Sequence, residues 1–406
     1  MKTVGVRATV NRLISRKKNK IKATAAGSHF AVVWGGDSLS EIIGQSVRIA
    51  LGLSRALEWW ILQIESVKPK LLIIELWGVG DLAIATPFLR KACEQYDVTL
   101  LAKPFALDLQ GRFWPPVKVI PFNAPWTAFN FSRKYNLFRW PWGTMLSVRK
   151  NLRREKFDVA LSARWDPRDH LLLKLSGAKS RVGFPRTGSQ IFLTRTLAVA
   201  DHKEHRYESW RIIAKALDLD LEPREKIRFP SRPENRLILV HTGAAQPVRV
   251  WPLERYAQVV KQLRACGHAV KVVCNPEQFA WWKNAGESGV TAPQTISELL
   301  GILDGAAVFI GNDSGPGHLA AFCGLPTFTF FGPQVAEWFV PLHPASEFLE
   351  GKPCPYKPCS DYCRFPTPYC LSNVTEEEVW PRLERFIERH LGQHAAGPTS
   401  TPVMAT

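Results

Sequence analysis

The sequence has no apolar run near the roughly 20 residues that a spanning helix needs. Nor does any N-terminal stretch combine a basic start, an unbroken apolar centre and a small-residue cleavage site. A cytoplasmic protein is therefore expected. Acid is the scarcer charge: 36 Asp and Glu against 53 Lys and Arg leave a net charge of +17, which favours phosphate-bearing partners. Eight basic residues crowd the first 22 positions, from Lys2 to Lys22. The remainder is less extreme, and net charge alone does not argue for nucleic acid. The eight cysteines include no tight C-x2-C pair. Cys93, Cys266, Cys274 and Cys323 stand singly in segments with helix or strand character, and are expected as buried thiols. No Gly-Lys-Ser/Thr sequence completes a phosphate-binding P-loop at the first Gly-rich turn.

What is present is a 406-residue chain with 46% apolar residues, enough for a large core and two or three domains. Residues 1–39 read as a basic, mobile tail. In 40–69, Glu41, Arg48, Arg55, Glu58 and Glu65 gather on one helical stripe opposite a wide apolar face with Trp59, Trp60 and Ile61. That amphipathic helix suits a membrane surface, the protein body or a partner subunit. From residue 70 the pattern alternates strand and helix: LLIIEL (71–76), a helix over 81–96, VTLLA (98–102), FDVALSA (157–163) and a helix after Pro167. A Pro- and charge-rich link (221–236) precedes RLILVH (236–241), a helix over 252–267, AVKVVCN (269–275), a helix over 296–306 and AVFIGND (307–313). The alternation predicts an α/β fold with two parallel sheets, one in a domain over 70–225 and one over 236–348. Ligands of such sheets sit at the carboxyl ends of the strands, so two facing sheets make one cleft.

The first strand runs into Trp-Gly-Val-Gly-Asp (77–81). Gly78, Gly80 and Ala83 fit a loose dinucleotide pattern, but Asp81 would stand beside the pyrophosphate and the second strand ends without a ribose-binding acid. Asp81 reads instead as a helix cap or as a general base exposed at the top of the sheet. In the second series, His241-Thr242-Gly243-Ala244 ends a strand with small residues that let backbone donors approach a ligand. Arg249, just before Trp251-Pro252, is placed to reach a phosphate. The stretch GNDSGPGHLAAFCGLP (311–326) turns from a strand into a helix whose free N–H groups, from Ser314 to His318, suit a diphosphate. Asp313 there suits a sugar hydroxyl or the loop backbone, and His318 a phosphate or the helix packing.

Three blocks, LLIIELWGVGDLAIATPFLRKA, LILVHTGAAQPVRVWPLERYAQVVKQL and FIGNDSGPGHLAAFCGLPTFTFFGP, together resemble the signature blocks of the ADP-heptose:lipopolysaccharide heptosyltransferase family, glycosyltransferase family 9. The resemblance covers about residues 70–390. It implies a GT-B architecture, two Rossmann-like domains facing across a cleft, and inverting transfer with no required metal or other cofactor. It places the general base at Asp81 and a donor-diphosphate cation at Arg249, where lysine is usual. Donor-sugar and phosphate contacts fall on Asp313, Ser314 and Gly315, with His318 one turn later and Thr242 and Gly243 on the neighbouring strand end. Glu277 is the counterpart of a nucleoside-binding acid, and Gly78, Gly80 and Arg164 form the acceptor-side loops. No Asp-x-Asp metal pair stands at a matching strand end. The implied activity moves a heptose or related sugar from a nucleotide-diphosphate donor, ADP-heptose, to a lipopolysaccharide-core or similar surface glycan.

Residues 120–156 mix Phe122, Trp126, Phe129, Phe131, Trp140 and Trp142 with Arg133, Lys134, Arg139, Arg149, Lys150, Arg153 and Arg154. Such a mixture can stack on RNA, but beside these blocks it suits a lipid-linked acceptor and the inner face of an anionic membrane; no nucleic acid is expected. Cys354, Cys359, Cys363 and Cys370 form C-x4-C-x3-C-x6-C in a Pro-rich loop (349–374). Reduced structural thiols come first there, a zinc site second and disulfides last. A capped helix over 375–391 is expected to pack back across the two domains, followed by a tail (392–406). Two rival readings are a nucleotide-dependent oxidoreductase using the Gly78–Gly80 loop, and a catalytically silent basic scaffold that binds membrane or RNA.

Overall fold

The computed structural model describes residues 68–127, 136–201, 203–230, 236–359 and 361–392. The basic tail, the amphipathic segment up to residue 67, Phe129, Phe131, Arg133, Lys134 and the C-terminal tail beyond Gly392 lie outside the described residues.

Strand β1 (Lys70–Glu75) is buried on both faces from Leu71 onward, as a central parallel strand must be when helices cover both sides of its sheet. It pairs in parallel with β2 (Asp97–Ala102) and with β4 (Val159–Leu161), with Leu71 opposite Val98 on one side and Val159 on the other. β3 (Lys118–Pro121), β5 (Ser180–Gly183) and β6 (Arg195–Thr196) complete a sheet of order β3-β2-β1-β4-β5-β6. The second sheet contains β7 (Ile238–His241), β8 (Val270–Val273), β9 (Val308–Asn312), β10 (Thr327–Phe331) and β11 (Ser346–Glu350), in the order β11-β10-β9-β7-β8. All of its pairings are parallel, with Ile238 opposite Val270 and Val308. Strand order reverses between β1 and β4 and again between β7 and β9, and crevices open at those switch points.

The halves share a core. Phe113, ending the helix Ala106–Phe113 of the first half, meets Phe322, ending the helix Gly315–Phe322 of the second, edge to face at 6.4 Å. Phe229, after the link has begun, packs on Phe322 at 5.5 Å. Arg112 and Asp304 form a bidentate pair across the same seam.

Two sequence expectations change. The helix Glu376–Leu391 starts with a Thr375/Glu378 capping box, as the sequence indicates. Its buried stripe, Val379, Leu383, Phe386, Ile387 and Leu391, joins the core of the second sheet with Ile238, Val240 and Phe328, and does not bridge both halves. Cys266 is exposed, because it caps the end of the helix Leu253–Ala265 and points away from the core; Cys93 is half-buried, and Cys274 and Cys323 are buried. Among the described residues no helix is long and apolar enough to cross a membrane.

Candidate functional site

The first-half site grows from the carboxyl ends of β1 and β4. The chain leaves β1 at Glu75 and enters the helix Val79–Gln95 directly. The Gly78 N–H donates to Asp81 Oδ2 at 2.8 Å, so Asp81 does cap the helix. Its other oxygen faces Arg164, whose Nη2 donates to Oδ1. Arg164 lies in the turn after β4. The Ser162 hydroxyl accepts from its N–H at 3.2 Å, and its carbonyl meets His170 Nε2 at 3.1 Å. The guanidinium also stacks over Trp77 at 5.3 Å and approaches Glu75 Oε1 at 3.8 Å. Carboxylate, guanidinium and carboxyl thus stand in a row: Asp81, Arg164, Glu75.

Sequence reasoning missed Glu75, which reads as the last residue of a buried strand. It is 2% exposed. Burial pushes its carboxyl up to about 8, against the pull of Arg164 and with the push of Asp81. Asp169, fully buried on the helix Pro167–Ser176, behaves similarly: burial and then Asp166 raise it to about 7, while Trp126 Nε1 donates to it at 3.3 Å. Arg206 was also missed. Its guanidinium lies 4.0 Å from the Trp165 ring, and burial followed by the nearby Arg164 charge lowers it to about 10. Lys103, at the end of β2, is held below its ordinary range by burial, in the fields of Asp81 and Glu75.

The second-half site is built at β7 and β9. Asn312, the buried last residue of β9, donates to the Thr242 carbonyl at 2.9 Å and accepts from the Trp251 N–H and the Tyr256 hydroxyl at 3.0 and 2.9 Å. This one amide fixes both ends of the segment that carries Arg249. Arg249 Nε and Nη2 donate to the two oxygens of Asp361 at 2.7 Å each, and Nη1 donates to Asp313 Oδ2 at 3.1 Å. Asp361, missed in the sequence, comes from the Cys-rich loop in a left-handed conformation with φ 70°. Burial raises Asp313 to about 6, with Arg249 opposing.

Ser314 stands in the N-cap position of the helix Gly315–Phe322 with extended backbone, and Pro316 lies in the first turn. Ser314 Oγ and His318 Nδ1 are both buried without a hydrogen-bond partner among the described residues. Unsatisfied polar atoms at a helix start are suited to an anion. Burial lowers His318 to about 4, so its ring is neutral near pH 7 and can donate through one nitrogen.

The Gly-rich loops of the two halves touch. A Cβ on Gly80 would lie 2.6 Å from His318 Cδ2, and one on Gly315 2.9 Å from Val79 Cβ. The base of the cleft is closed by glycine-to-helix contact, which brings Asp81, Arg164, Arg249, Asp313, Ser314, Gly315 and His318 to one place.

Other expected residues have different surroundings. The Thr242 hydroxyl is tied to Gln278 and Trp282 at 3.1 Å each, inside the fold. A Cβ on Gly243 would meet Asn275 Oδ1 at 2.0 Å, so that glycine makes room for Asn275. Glu277 is exposed and accepts from Asn275 Nδ2 at 2.8 Å. Beside it, at the ends of β7 and β8, a cleft of about 380 Å³ is walled by His241, Cys274, Asn275, Gln294, Thr295 and Pro316, with Phe105 and Asp108 from the first half. Cys354, Cys359, Cys363 and Cys370 line one small pocket. Among the described residues, however, no group of three or more His, Cys, Asp or Glu side chains could hold a metal ion.

The model of glycosyltransferase family 9 (heptosyltransferase) matches residues 145–365, more than half of the chain. The chain belongs to glycosyltransferase family 9. Lipopolysaccharide heptosyltransferase 3 of Escherichia coli K12 is 28% identical over 108 residues, 24% of this chain and 31% of the relative. Lipopolysaccharide heptosyltransferase 1 of Campylobacter coli is 27% identical over 119 residues, 27% of this chain and 34% of the relative. The chain thus spans about a third of the length of these curated relatives. Among solved structures, E. coli heptosyltransferase WaaC with ADP superposes with a TM-score of 0.61 at 18% identity, over 78% of this chain and 99% of that one. The family 9 glycosyl transferase of Veillonella parvula gives 0.64 at 17% identity, over 79% and 98%. The fold of this family 9 member is accordingly the GT-B architecture.

Proposed function

We propose that this family 9 protein is an inverting, metal-independent glycosyltransferase. It moves a heptose or related sugar from a nucleotide-diphosphate donor, ADP-heptose, to a lipopolysaccharide-core or similar surface glycan. The observation that carries this reading is the junction at Gly80 and His318. It sets a carboxylate, Asp81, against a helix start with two unsatisfied buried polar atoms and a nearby permanent cation, Arg249. The names of its relatives supply the class of donor and acceptor: lipopolysaccharide heptosyltransferases, one of them solved with ADP and also with ADP-2-deoxy-2-fluoro heptose.

In this mechanism Asp81 takes the proton of an acceptor hydroxyl, whose oxygen attacks the anomeric carbon from the face opposite the nucleotide. The bond from that carbon to the diphosphate oxygen breaks, and both electrons leave with the diphosphate. Arg249, the N–H groups at the start of Gly315–Phe322 and the neutral His318 ring receive the charge as preorganised donors. Arg164 orients the Asp81 carboxylate, and the 380 Å³ cleft beside Glu277 takes the nucleoside. Arg249 is already bound to two carboxylates, so the incoming diphosphate replaces one of them. The lipid-linked acceptor approaches from the first half, past Arg164 and Arg206.

The test incubates the full chain with ADP-heptose and a heptose-deficient lipopolysaccharide extract and weighs the product. Asp81→Asn, which preserves the cap, should bind ADP normally and lose about 10² to 10⁴ in turnover. Near-wild-type turnover would sink the assignment of the base.

A further inference from the structure

The helix Trp142–Glu155 buries only a narrow stripe, Val148 and Leu152, with Met145 packed against the same cluster. Its outward stripe at helical spacing is Trp142, Leu146, Lys150 and then Arg153 and Arg154, apolar at one end and cationic at the other. The preceding turn, Leu137–Arg139, extends the apolar end. Phe138 is 99% exposed, Leu146 60%, Leu137 54% and Trp142 49%. Two hydrogen bonds fix the turn and the Trp142 indole. The Asn136 side chain caps the turn by accepting from the Phe138 N–H at 3.1 Å, and Trp142 Nε1 donates to the Leu137 carbonyl at 2.9 Å. Residues 136–156 contain six basic residues and one acid. That acid, Glu155, is engaged by Lys70 and Lys118.

Exposed apolar groups clustered and rimmed by one sign of charge mark an interaction site. The face is continuous with the acceptor side of the candidate site. Trp142 meets Trp140 at 5.7 Å, Trp140 meets Trp126 at 5.6 Å, and Trp126 donates to Asp169 while Arg168 lies over its ring at 5.9 Å.

We propose that this face docks the protein on an anionic lipid bilayer. Leu137, Phe138, Trp142 and Leu146 enter at headgroup depth, and Lys150, Arg153 and Arg154 lie against lipid phosphates. Two of the four apolar side chains are aliphatic and the indole of Trp142 is tied edgewise to the turn, so the set fits acyl chains better than stacked bases. The proposal rests on the glycosyltransferase reading only for what the bilayer carries; docking is measured without donor or turnover, so each can fail alone.

The test uses the full chain with vesicles of equal parts phosphatidylglycerol and phosphatidylcholine, or of phosphatidylcholine alone, each with a trace of diazirine-bearing phosphatidylcholine. Photolabels are then mapped by mass spectrometry. Labels should concentrate in 136–154 on the anionic vesicles. The double variant Phe138→Ser, Leu146→Ser should reduce them by about tenfold or more, with labels elsewhere and thermal stability unchanged because both side chains are exposed. Vesicle binding that leaves this segment unlabelled would overturn the proposal, as would equal labelling in the variant. Binding of single-stranded oligouridine that the same substitutions abolish would assign the face to nucleic acid instead.

Discussion

Arg249 and Asp361 grip each other through both edges of their planar groups, with two N–H to oxygen contacts of 2.7 Å, although 112 residues separate them. The same guanidinium holds Asp313, so a diphosphate reaching it meets a cation already shared by two carboxylates. Asp313 is 3% exposed and its N–H is bonded to the Phe330 carbonyl. Asp361, on a loop and more exposed, is the partner that can leave.

Asp361→Asn should therefore tighten ADP binding several-fold, since a competing charge-assisted pair is worth about 1.5 to 3 kcal/mol and a neutral amide keeps only part of it. Titration calorimetry with ADP measures this directly. Weaker binding would mean that Asp361 orients Arg249 more than it competes.

Gly80→Ala probes the seam between the halves. The added methyl would fall 2.6 Å from the buried His318 ring. Overpacking of this kind costs about 1 to 3 kcal/mol, partly offset by better helix propensity. A lower Tm together with weaker ADP binding is expected. Unchanged values in both would mean that His318 moves freely.

Glu75→Gln tests the buried carboxyl through pH. Its pKa is about 8 in the folded protein against 4.5 for the ordinary group, so the folded state holds the proton more tightly. That contribution is complete below about 4.5 and is lost as pH rises toward 8. The slope is at most about 1.4 kcal/mol per pH unit for one proton. Wild type should lose stability relative to Glu75→Gln across this window. Parallel Tm profiles for the two proteins would show that Arg164 keeps Glu75 ionised.

Much of this was legible in the chain. The buried run LLIIE, the alternation of strand and helix and the Ser314-Gly315-Pro316 helix start carry their own physics: apolar burial on both faces, short connections and free N–H groups. These local rules predicted the parallel α/β fold and pointed to Asp81, Arg249 and the 311–326 turn. Other features depend on residues far apart in sequence. Glu75 reads as one more strand residue until Arg164, 89 positions away, lies beside it. Asp361 reads as part of a Cys-rich loop until it meets Arg249. Thr242 reads as one more small residue at a strand end until Gln278 and Trp282 engage its hydroxyl. The amino-acid order by itself determined which turns present a helix start at the end of a strand, because backbone donors and helix starts are local. Only the tertiary structure decided which charges face one another there, because burial and Coulomb coupling depend on distances that the linear order does not contain.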